Sequence, residues 1–282
     1  MDRADLHLHS NFSDGSDSVA ELMSKIENSD VNIFSLTDHD TCFGCIEAVK
    51  LIPEGKNFIA GIELTCTLES VKCHILGYGY DVFNAKLHDL IEKGKKLRRQ
   101  KLDTRIEYLS KVWNIDLAKE ELDWLYSRKS VVKTHLANIL VKRGLAENNV
   151  LAMKKYLDAC KTGNTRFDGA EAISVLKKAG AVVVWAHPLG GEGERHLSPE
   201  EFQSDFDVMK KHGINGLECF YSRYNFEESE FLCKVAEKEG LFVSGGSDYH
   251  GLNKENIEIG QLSTLNEPVD VKKLTLLRHF NY

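Results

Sequence analysis

Short runs of apolar and β-branched residues alternate with helical patterns along most of this 282-residue chain. Such runs predict strands at residues 5–9, Val31–Leu36, 58–62, 75–80, 181–186, 216–220 and 241–244. Apolar positions at helical spacing predict helices at residues 170–179, 202–211 and 227–239. Ser18 and Glu21 have the spacing of a capping box, which predicts a further helix ahead of the second strand. Strands that alternate with helices indicate an α/β fold built on a parallel sheet.

The stretch from residue 85 to residue 163 interrupts this alternation. It is rich in charge and helical in pattern, and residues 93–113 form the pattern of one long basic helix. We therefore predict that residues 1–84 and 164–282 form the α/β part and that residues 85–163 are an inserted helical cap over the functional site. A solvated bundle with only a packing role is the alternative.

Composition narrows the functional classes. The net charge of −7 argues against binding nucleic acid or membranes over a broad face, although a local positive site is compatible with it. The N-terminal residues include no long apolar run, so we expect no signal peptide and no membrane-spanning segment. Seven cysteines, an odd number, are scattered through apolar stretches, which favours free thiols in a reducing compartment. We therefore expect a cytoplasmic protein with no membrane association and no obligatory protein partner.

Histidines and carboxylates gather at the ends of the predicted strands. Alternation along the first strand places His7 and His9 on one face, and the turn after it presents Asp14. The other candidates stand beside later strands: His39, Glu63, His74, His187, Asp248 and His250. Because the carboxyl ends of parallel strands converge on one face, we expect these six histidines and three carboxylates to meet in one site.

Nine such groups in one buried site would be unstable without a partner, because imidazoles would be desolvated and carboxylates would repel one another. Imidazole and carboxylate ligands suit Zn, Mn or Fe, and nine ligands are too many for one ion, so we predict two or three divalent metal ions. The charge of three such dications, offset by three carboxylates and a bridging hydroxide, leaves about +2, which complements a phosphate dianion. The expected reaction is hydrolysis of a phosphate ester by in-line attack of a metal-bridging hydroxide.

The motifs DLHLHSNFSDGS, LTDHDT, GIE, HILGY, WAHP and GGSDYH resemble those of the PHP family, named after the polymerase and histidinol phosphatase proteins. The resemblance implies a distorted (β/α)7 barrel, similar to a TIM barrel, with three metal ions. It implies that the first ion is held by His7, His9 and Asp248. Glu63 would bridge the first and second ions, and the second would be completed by His74 and His187. The third ion would be held by Asp14, His39 and His250.

Within that family the helical insertion and the segment Lys133-Thr134-His135 resemble phosphatases of nucleoside 3′,5′-bisphosphates, some of which degrade short RNA from its 5′ end. This likeness implies a small phosphorylated substrate: a nucleotide such as a 3′,5′-bisphosphate or an AMP-like compound, or a short 5′-phosphorylated RNA. The subgroup has Arg-Pro-His where this chain has Lys-Thr-His, and a lysine lacks arginine's bidentate grip on phosphate. The choice among these substrates is therefore open.

Four residues outside the nine candidate ligands are expected to act on the substrate. Lys133 and His135 would stabilise charge or protonate the leaving group from the cap, and Arg195 and Glu218 would contact the substrate at the mouth of the site. A packed helix histidine at position 135 and an ion pair at position 218 are the alternatives. Two other functions stay open at this point, a histidinol-phosphate phosphatase and a non-catalytic metal-binding module.

Overall fold

The computed structural model describes residues 3–163, 165–191, 195–254 and 256–282. Within these residues eight strands, β1 to β8, form one sheet. They are Arg3–Leu8, Val31–Leu36, Asn57–Leu68, Val71–Tyr78, Phe167–Asp168, Val182–Trp185, Gly216–Tyr221 and Phe242–Gly246. All seven predicted strands are present, although β3 continues to Leu68 rather than ending at residue 62. The additional short strand, β5, pairs with β3.

Most neighbouring strands are parallel, but β4 runs antiparallel to both β3 and β6. The expectation of a wholly parallel sheet is therefore wrong at β4. The reason is the connection between Leu68 and Val71, which is only Glu69, with a φ of 54°, and Ser70. A connection this short permits only an antiparallel hairpin, since a parallel return needs a crossover of about a dozen residues or more. Consequently β4 starts at the edge of the sheet where its neighbours β3 and β6 end.

The two outer strands of the described sheet, β1 and β8, meet at their carboxyl ends. The amide of His9 donates to the carbonyl of Tyr249 at 3.0 Å, and the amide of Asp248 donates to the carbonyl of His7 at 2.8 Å. Gly246 permits this approach, because a β-carbon there would lie 2.2 Å from the β-carbon of His7. The predicted α/β class is confirmed, and contact between the first and last strands is what a barrel requires.

Helices connect the strands and cover the sheet. In chain order α1 to α9 are Val19–Glu27, Phe43–Ala48, Ala85–Trp113, Lys119–Ser127, Lys133–Lys142, Asn149–Ala152, Gly169–Lys178, Pro199–Lys211 and Phe226–Glu239. A π-helical turn, Met153–Leu157, continues α6, and 3₁₀ turns lie at Gly251–Asn253, Val271–Lys273 and Thr275–Phe280. The predicted capping box opens α1: Ser18 Oγ accepts from the Glu21 amide, and Glu21 Oε2 accepts from the Ser18 amide at 2.8 Å.

The segment between β4 and β5 is helical, as expected, and contains α3 to α6. Leu87, Leu90 and Ile91 of α3 pack into the core at the sheet. The other buried apolar side chains of the segment form a separate cluster, which includes Leu102, Leu109, Leu125, Leu136 and Leu140. A separate core is typical of an inserted subdomain. The boundaries at residues 84 and 164 stay predictions, and residue 164 lies outside the described residues. No helix in the described ranges is long and apolar enough to cross a membrane.

Candidate metal centre

The nine candidate ligands converge where β1, β2, β6 and β8 end and where β4 begins. His7 and His9 are fully buried, and their ring centroids lie 5.1 Å apart. His74 reaches the same place because β4 is antiparallel, which puts the first half of β4 beside the end of β3. Asp14 lies in the turn after β1, and His39 and His187 follow β2 and β6.

Glu63 is the centre of this arrangement. Three nitrogens lie 3.1 to 3.2 Å from its Oε2, namely Nε2 of His7, Nε2 of His9 and Nδ1 of His39. Two more lie 2.9 and 3.2 Å from its Oε1, namely Nδ1 of His74 and Nε2 of His187. Each carboxylate oxygen therefore faces a different set of imidazoles.

The two aspartates complete the cluster on either side of Glu63. Asp248 Oδ1 lies 3.3 Å from Nε2 of His9 and 3.5 Å from Nε2 of His7. Asp14 Oδ1 lies 3.2 Å from Nε2 of His250, and its Oδ2 lies 3.8 Å from Nε2 of His39. Ligand atoms about 2.1 Å from one ion would lie roughly 3.0 to 3.4 Å from each other, so most of these separations match the edges of a coordination shell.

Three overlapping groups in the described chain have ligand atoms that all lie within 4.8 Å of one another. They are His9, Asp14, His39 and His250; His7, His9, Glu63 and Asp248; and His39, Glu63 and His74. The overlap at His9, His39 and Glu63 means that ions held by these groups would be close neighbours.

Several buried atoms at this centre have no hydrogen-bond partner within the described chain. They are Nε2 of His7, Nε2 of His9, Oδ1 of Asp14, Nδ1 of His39, Oε2 of Glu63 and Nδ1 of His74. A buried polar atom without a partner is costly, and here imidazole nitrogens and carboxylate oxygens lie within 4.8 Å of one another in each group. Divalent cations are the partners that such a donor set fits.

Hydrogen bonds on the outer side of the rings fix which nitrogen faces inward. Glu218 Oε1 lies 2.7 Å from Nδ1 of His7, and its Oε2 accepts from the amide of His187 at 2.7 Å. Nδ1 of His250 lies 2.8 Å from the carbonyl oxygen of Asp248. A metal-binding histidine usually has a partner of this kind on its second nitrogen. Glu218 thus orients two neighbours of Glu63 from behind.

Opposite charges at the centre shift its ionisation. Burial opposes ionisation of Asp14, but the nearby imidazole of His250 outweighs it, so the pKa of that carboxyl falls well below its usual value. Burial likewise opposes charging of His9, whereas the adjacent carboxylates of Asp248 and Glu63 raise the pKa of His9 to about 9. The pKa values of His39 and His250 are instead lowered, chiefly by burial.

A family model described as the PHP domain matches residues 5–167, more than half of the chain. This chain belongs to the PHP domain family. Relatives include a 5′-3′ exoribonuclease from Haemophilus influenzae, 30% identical over 257 residues, which cover 87% of this chain and 89% of the relative. A 3′,5′-nucleoside bisphosphate phosphatase from Chromobacterium violaceum is 26% identical over 272 residues, covering 94% of this chain and 93% of that protein.

Solved structures agree with the PHP assignment. A structure from Bifidobacterium adolescentis described as a metal-dependent phosphoesterase superposes with a TM-score of 0.81 at 26% identity, over 98% of this chain and 96% of that one. An amidohydrolase structure from Chromobacterium violaceum has a TM-score of 0.80 at 22% identity, with 98% and 96% coverage, and supports the fold alone. The chain is therefore a metal-dependent phosphoesterase of the PHP family, and the expected family and enzyme class are confirmed.

The two cap residues that are expected to act on the substrate of this PHP enzyme, His135 and Lys133, differ from each other in burial and in their partners. His135 is buried in the first turn of α5, where its Nδ1 accepts from the amide of Val132 at 3.1 Å. Burial lowers the pKa of His135 to about 4, so the ring is neutral at neutral pH. Lys133 donates to Asp158 at 2.7 Å. The roles of Lys133 and His135 stay predictions.

The other two expected substrate contacts also have protein partners. Arg195 is an exposed residue that pairs with Glu201, and its Nη1 lies 3.1 Å from Oε2 of that residue. Glu218 is fully buried behind His7. Their contact with substrate stays a prediction.

Residues outside the nine candidate ligands also adjoin the PHP metal centre. Asp38 accepts from the hydroxyls of Ser10 and Ser13, each at 2.7 Å, and thereby holds the turn that carries Asp14. Arg98 of α3 pairs with Asp40 and also donates to Thr65 Oγ1 at 3.0 Å. Tyr221 donates to Asp248 Oδ2 at 3.0 Å, and Lys254 pairs with the same oxygen.

Proposed function

We propose that this PHP enzyme hydrolyses a phosphate monoester of a nucleotide, either a nucleoside 3′,5′-bisphosphate or AMP-like compound or a short 5′-phosphorylated RNA. The observation that carries the proposal is the position of Glu63, whose two oxygens face two sets of imidazoles. Ions placed on both sides of one carboxylate would be close enough to contact a single phosphoryl group. The names of the relatives, a bisphosphate phosphatase and exoribonucleases, support a nucleotide substrate.

The proposed ligand assignment follows the three groups. The first ion would be held by His7, His9, Glu63 and Asp248. The second would be held by Glu63 with His74 and His187. The third would be held by Asp14, His39 and His250. Zn, Mn and Fe all accept this donor set, so we propose two or three divalent ions without choosing among these metals.

When bound, divalent ions would lower the pKa of water toward neutrality and neutralise charge on the phosphate. The surrounding residues would hold the candidate ligands in position. Glu218 would hold His7 and the backbone of His187 in place, and Asp38 would hold the turn of Asp14. From the cap, Lys133 and His135 are proposed to stabilise charge on the leaving group, and Arg195 to contact substrate at the rim.

Phosphate release from the purified protein, supplied with Mn, tests the proposal. The substrates are adenosine 3′,5′-bisphosphate, the AMP isomers, a 5′-phosphorylated RNA and histidinol phosphate. We expect the largest kcat/KM for the bisphosphate or the RNA. Faster turnover of histidinol phosphate than of any nucleotide would contradict the nucleotide assignment while leaving the phosphoesterase class intact.

A further inference from the structure

A groove lies between the cap and the turn that carries Asp14. It has a volume of about 170 Å³ and is lined by Asn11, Phe12, Ser127, Arg128 and Lys129, which we call the cap groove. Arg128 joins its two walls by donating to the carbonyl of Asn11. Asn11 and Phe12 precede Asp14 in the same turn, so one wall of the groove is part of the turn that carries this candidate ligand.

Two cations, Arg128 and Lys129, line the cap groove, and Arg99 lies beside it by donating to the carbonyl of Tyr126. In the described ranges Arg99, Arg128 and Lys129 form no ion pair, and the hydrogen bonds of the two arginines go to backbone carbonyls. Nη1 of Arg99 and Nε of Arg128 are buried without a hydrogen-bond acceptor. Elsewhere on the helical segment, Lys111 pairs with Glu107 and Arg143 with Glu121. Uncompensated donors in a protein of net charge −7 indicate a site for an anion.

Aromatic rings accompany these cations. Arg128 lies 5.4 Å from the ring centroid of Trp124, Arg99 lies 4.7 Å from that of Tyr126, and Lys129 lies 5.5 Å from that of Phe43. Trp124 is 39% exposed and Tyr126 is 41% exposed, although both are large rings that packing would normally cover. Exposed rings interleaved with cations are the combination that binds single-stranded nucleic acid, where bases stack and phosphates pair.

We propose that the cap groove, with Trp124 and Tyr126 on its rim, binds the nucleotides that follow the scissile phosphate of a single-stranded nucleic acid. This inference rests on the proposed function for the position of the scissile phosphate. The strand would place its terminal phosphate at the metal centre, its next phosphates against Arg128 and Lys129, and a base against Trp124. Trp124 also contacts His135 edge to face, with centroids 5.4 Å apart, which connects the rim of the groove to this cap residue.

The selectivity of the enzyme between two substrates tests whether the cap groove binds RNA. The readout is the ratio of kcat/KM for a 5′-phosphorylated RNA pentamer to that for p-nitrophenyl phosphate, which is too small to reach the groove. We expect the ratio to fall about tenfold in Trp124→Leu and in the double variant Arg99→Met, Lys129→Met. Lys111→Met, an exposed cation on the same helix as Arg99, is the matched control and should leave the ratio unchanged. A ratio unchanged in both groove variants would overturn the proposal.

A binding measurement distinguishes a failure of this proposal from a failure of the proposed function. The probe is a fluorescent 2′-O-methyl RNA pentamer with a 5′ hydroxyl, which carries no phosphate monoester to hydrolyse, and anisotropy gives its Kd at several salt concentrations. We expect Trp124→Leu to weaken binding about tenfold and Lys129→Met to reduce the salt slope by about 0.7. Equal Kd values and slopes in wild type and variants would refute the groove even in an enzyme that hydrolyses nucleotides. Weaker binding by the variants of an enzyme inactive on nucleotides would support the groove and refute only the proposed function.

Discussion

Asp14 is the carboxylate of the metal centre that depends least on the sheet, because it lies in the turn after β1. Its oxygens lie 3.2 Å from His250 and 3.8 Å from His39, and 8% of the residue is exposed. We expect Asp14→Ala to lower turnover about 100-fold or more, since the third group would keep only neutral imidazoles. The fold should persist, because the Asp14 side chain lies in a turn and its contacts are with the imidazoles of the centre.

Phosphate release, metal content and the thermal unfolding midpoint of Asp14→Ala check this prediction together. Asp30→Ala is the control, because the Asp30 side chain is 85% exposed and forms a surface ion pair with Arg3 at 3.7 Å. Full activity in Asp14→Ala would contradict the assignment of a third ion.

Glu218 is a second single residue on which the metal centre depends, and it lies behind the candidate ligands His7 and His187. It accepts from Nδ1–H of His7 and from the amide of His187, and an amide side chain can replace only one of these acceptors. We expect Glu218→Gln to weaken metal affinity about 10- to 100-fold, as is usual when a partner of a ligating histidine is changed. Titration of the metal-free protein with Mn measures the effect. If affinity is unchanged while KM for substrate rises, Glu218 contacts substrate rather than positioning His7.

At the scale of elements, the centre depends on the approach of β8 to β1. A β-carbon on Gly246 would lie 2.4 Å from the backbone nitrogen of His7, so Gly246→Ala must push the two strands apart. We expect a loss of about 1–3 kcal/mol in the free energy of unfolding, the usual range for overpacking. Urea denaturation measures it, and Gly246→Ser should be less stable still. Wild-type stability in both variants would mean that β1 and β8 are not in close contact.

The predictability of each element follows from the range of the interactions that form it. Strand bounds such as Val31–Leu36 and the capping box at Ser18 depend on neighbours a few residues away, so the sequence predicted them. The direction of β4 depends on the two-residue hairpin at Glu69, whose meaning we missed because the apolar pattern is the same for either direction. Even so, His74 was correctly placed near Glu63, because the start of an antiparallel strand faces the ends of parallel ones.

The residues of the candidate site also differ in how far they could be predicted from the sequence. The His-rich motifs were visible because ligands and strand ends are adjacent in the sequence. The partner of His7, Glu218, lies 211 positions away, and the partner of Asp40, Arg98, lies 58 positions away. Local periodicity carries no information about such pairs, which only the packed sheet and α3 bring together.

At the scale of the whole molecule, metal binding should be coupled to proton release. Burial disfavours charge on His7 and His9, but the adjacent carboxylates outweigh it, raising the pKa of His9 to about 9 and that of His7 well above its usual value. On that basis His9 carries a proton at pH 7 in the metal-free protein, and the shift of the His7 pKa has the same direction. Ions bind the neutral ring, so we expect protons to be released on binding and metal affinity to rise with pH from 7 toward about 9.

Calorimetric titration with Mn in two buffers of different ionisation enthalpy measures the protons released. The carboxyls of Asp14 and Glu63 should contribute none, because positive neighbours overcome burial and keep their pKa values well below the usual range. Metal removal should also lower the unfolding midpoint, since an ion at 100 times its Kd stabilises the folded state by about 2.7 kcal/mol. Absence of proton release at pH 7 would contradict the charge distribution described here.

The meeting of β1 and β8 also bears on when the proposed metal centre could form during synthesis of the protein. His7 and His9 are translated long before Asp248 and His250. On the proposed ligand assignment, the first and third groups would therefore be incomplete until β8 folds against β1. Metal loading would then follow the folding of β8, and we expect a product of termination before residue 248 to lack phosphoesterase activity.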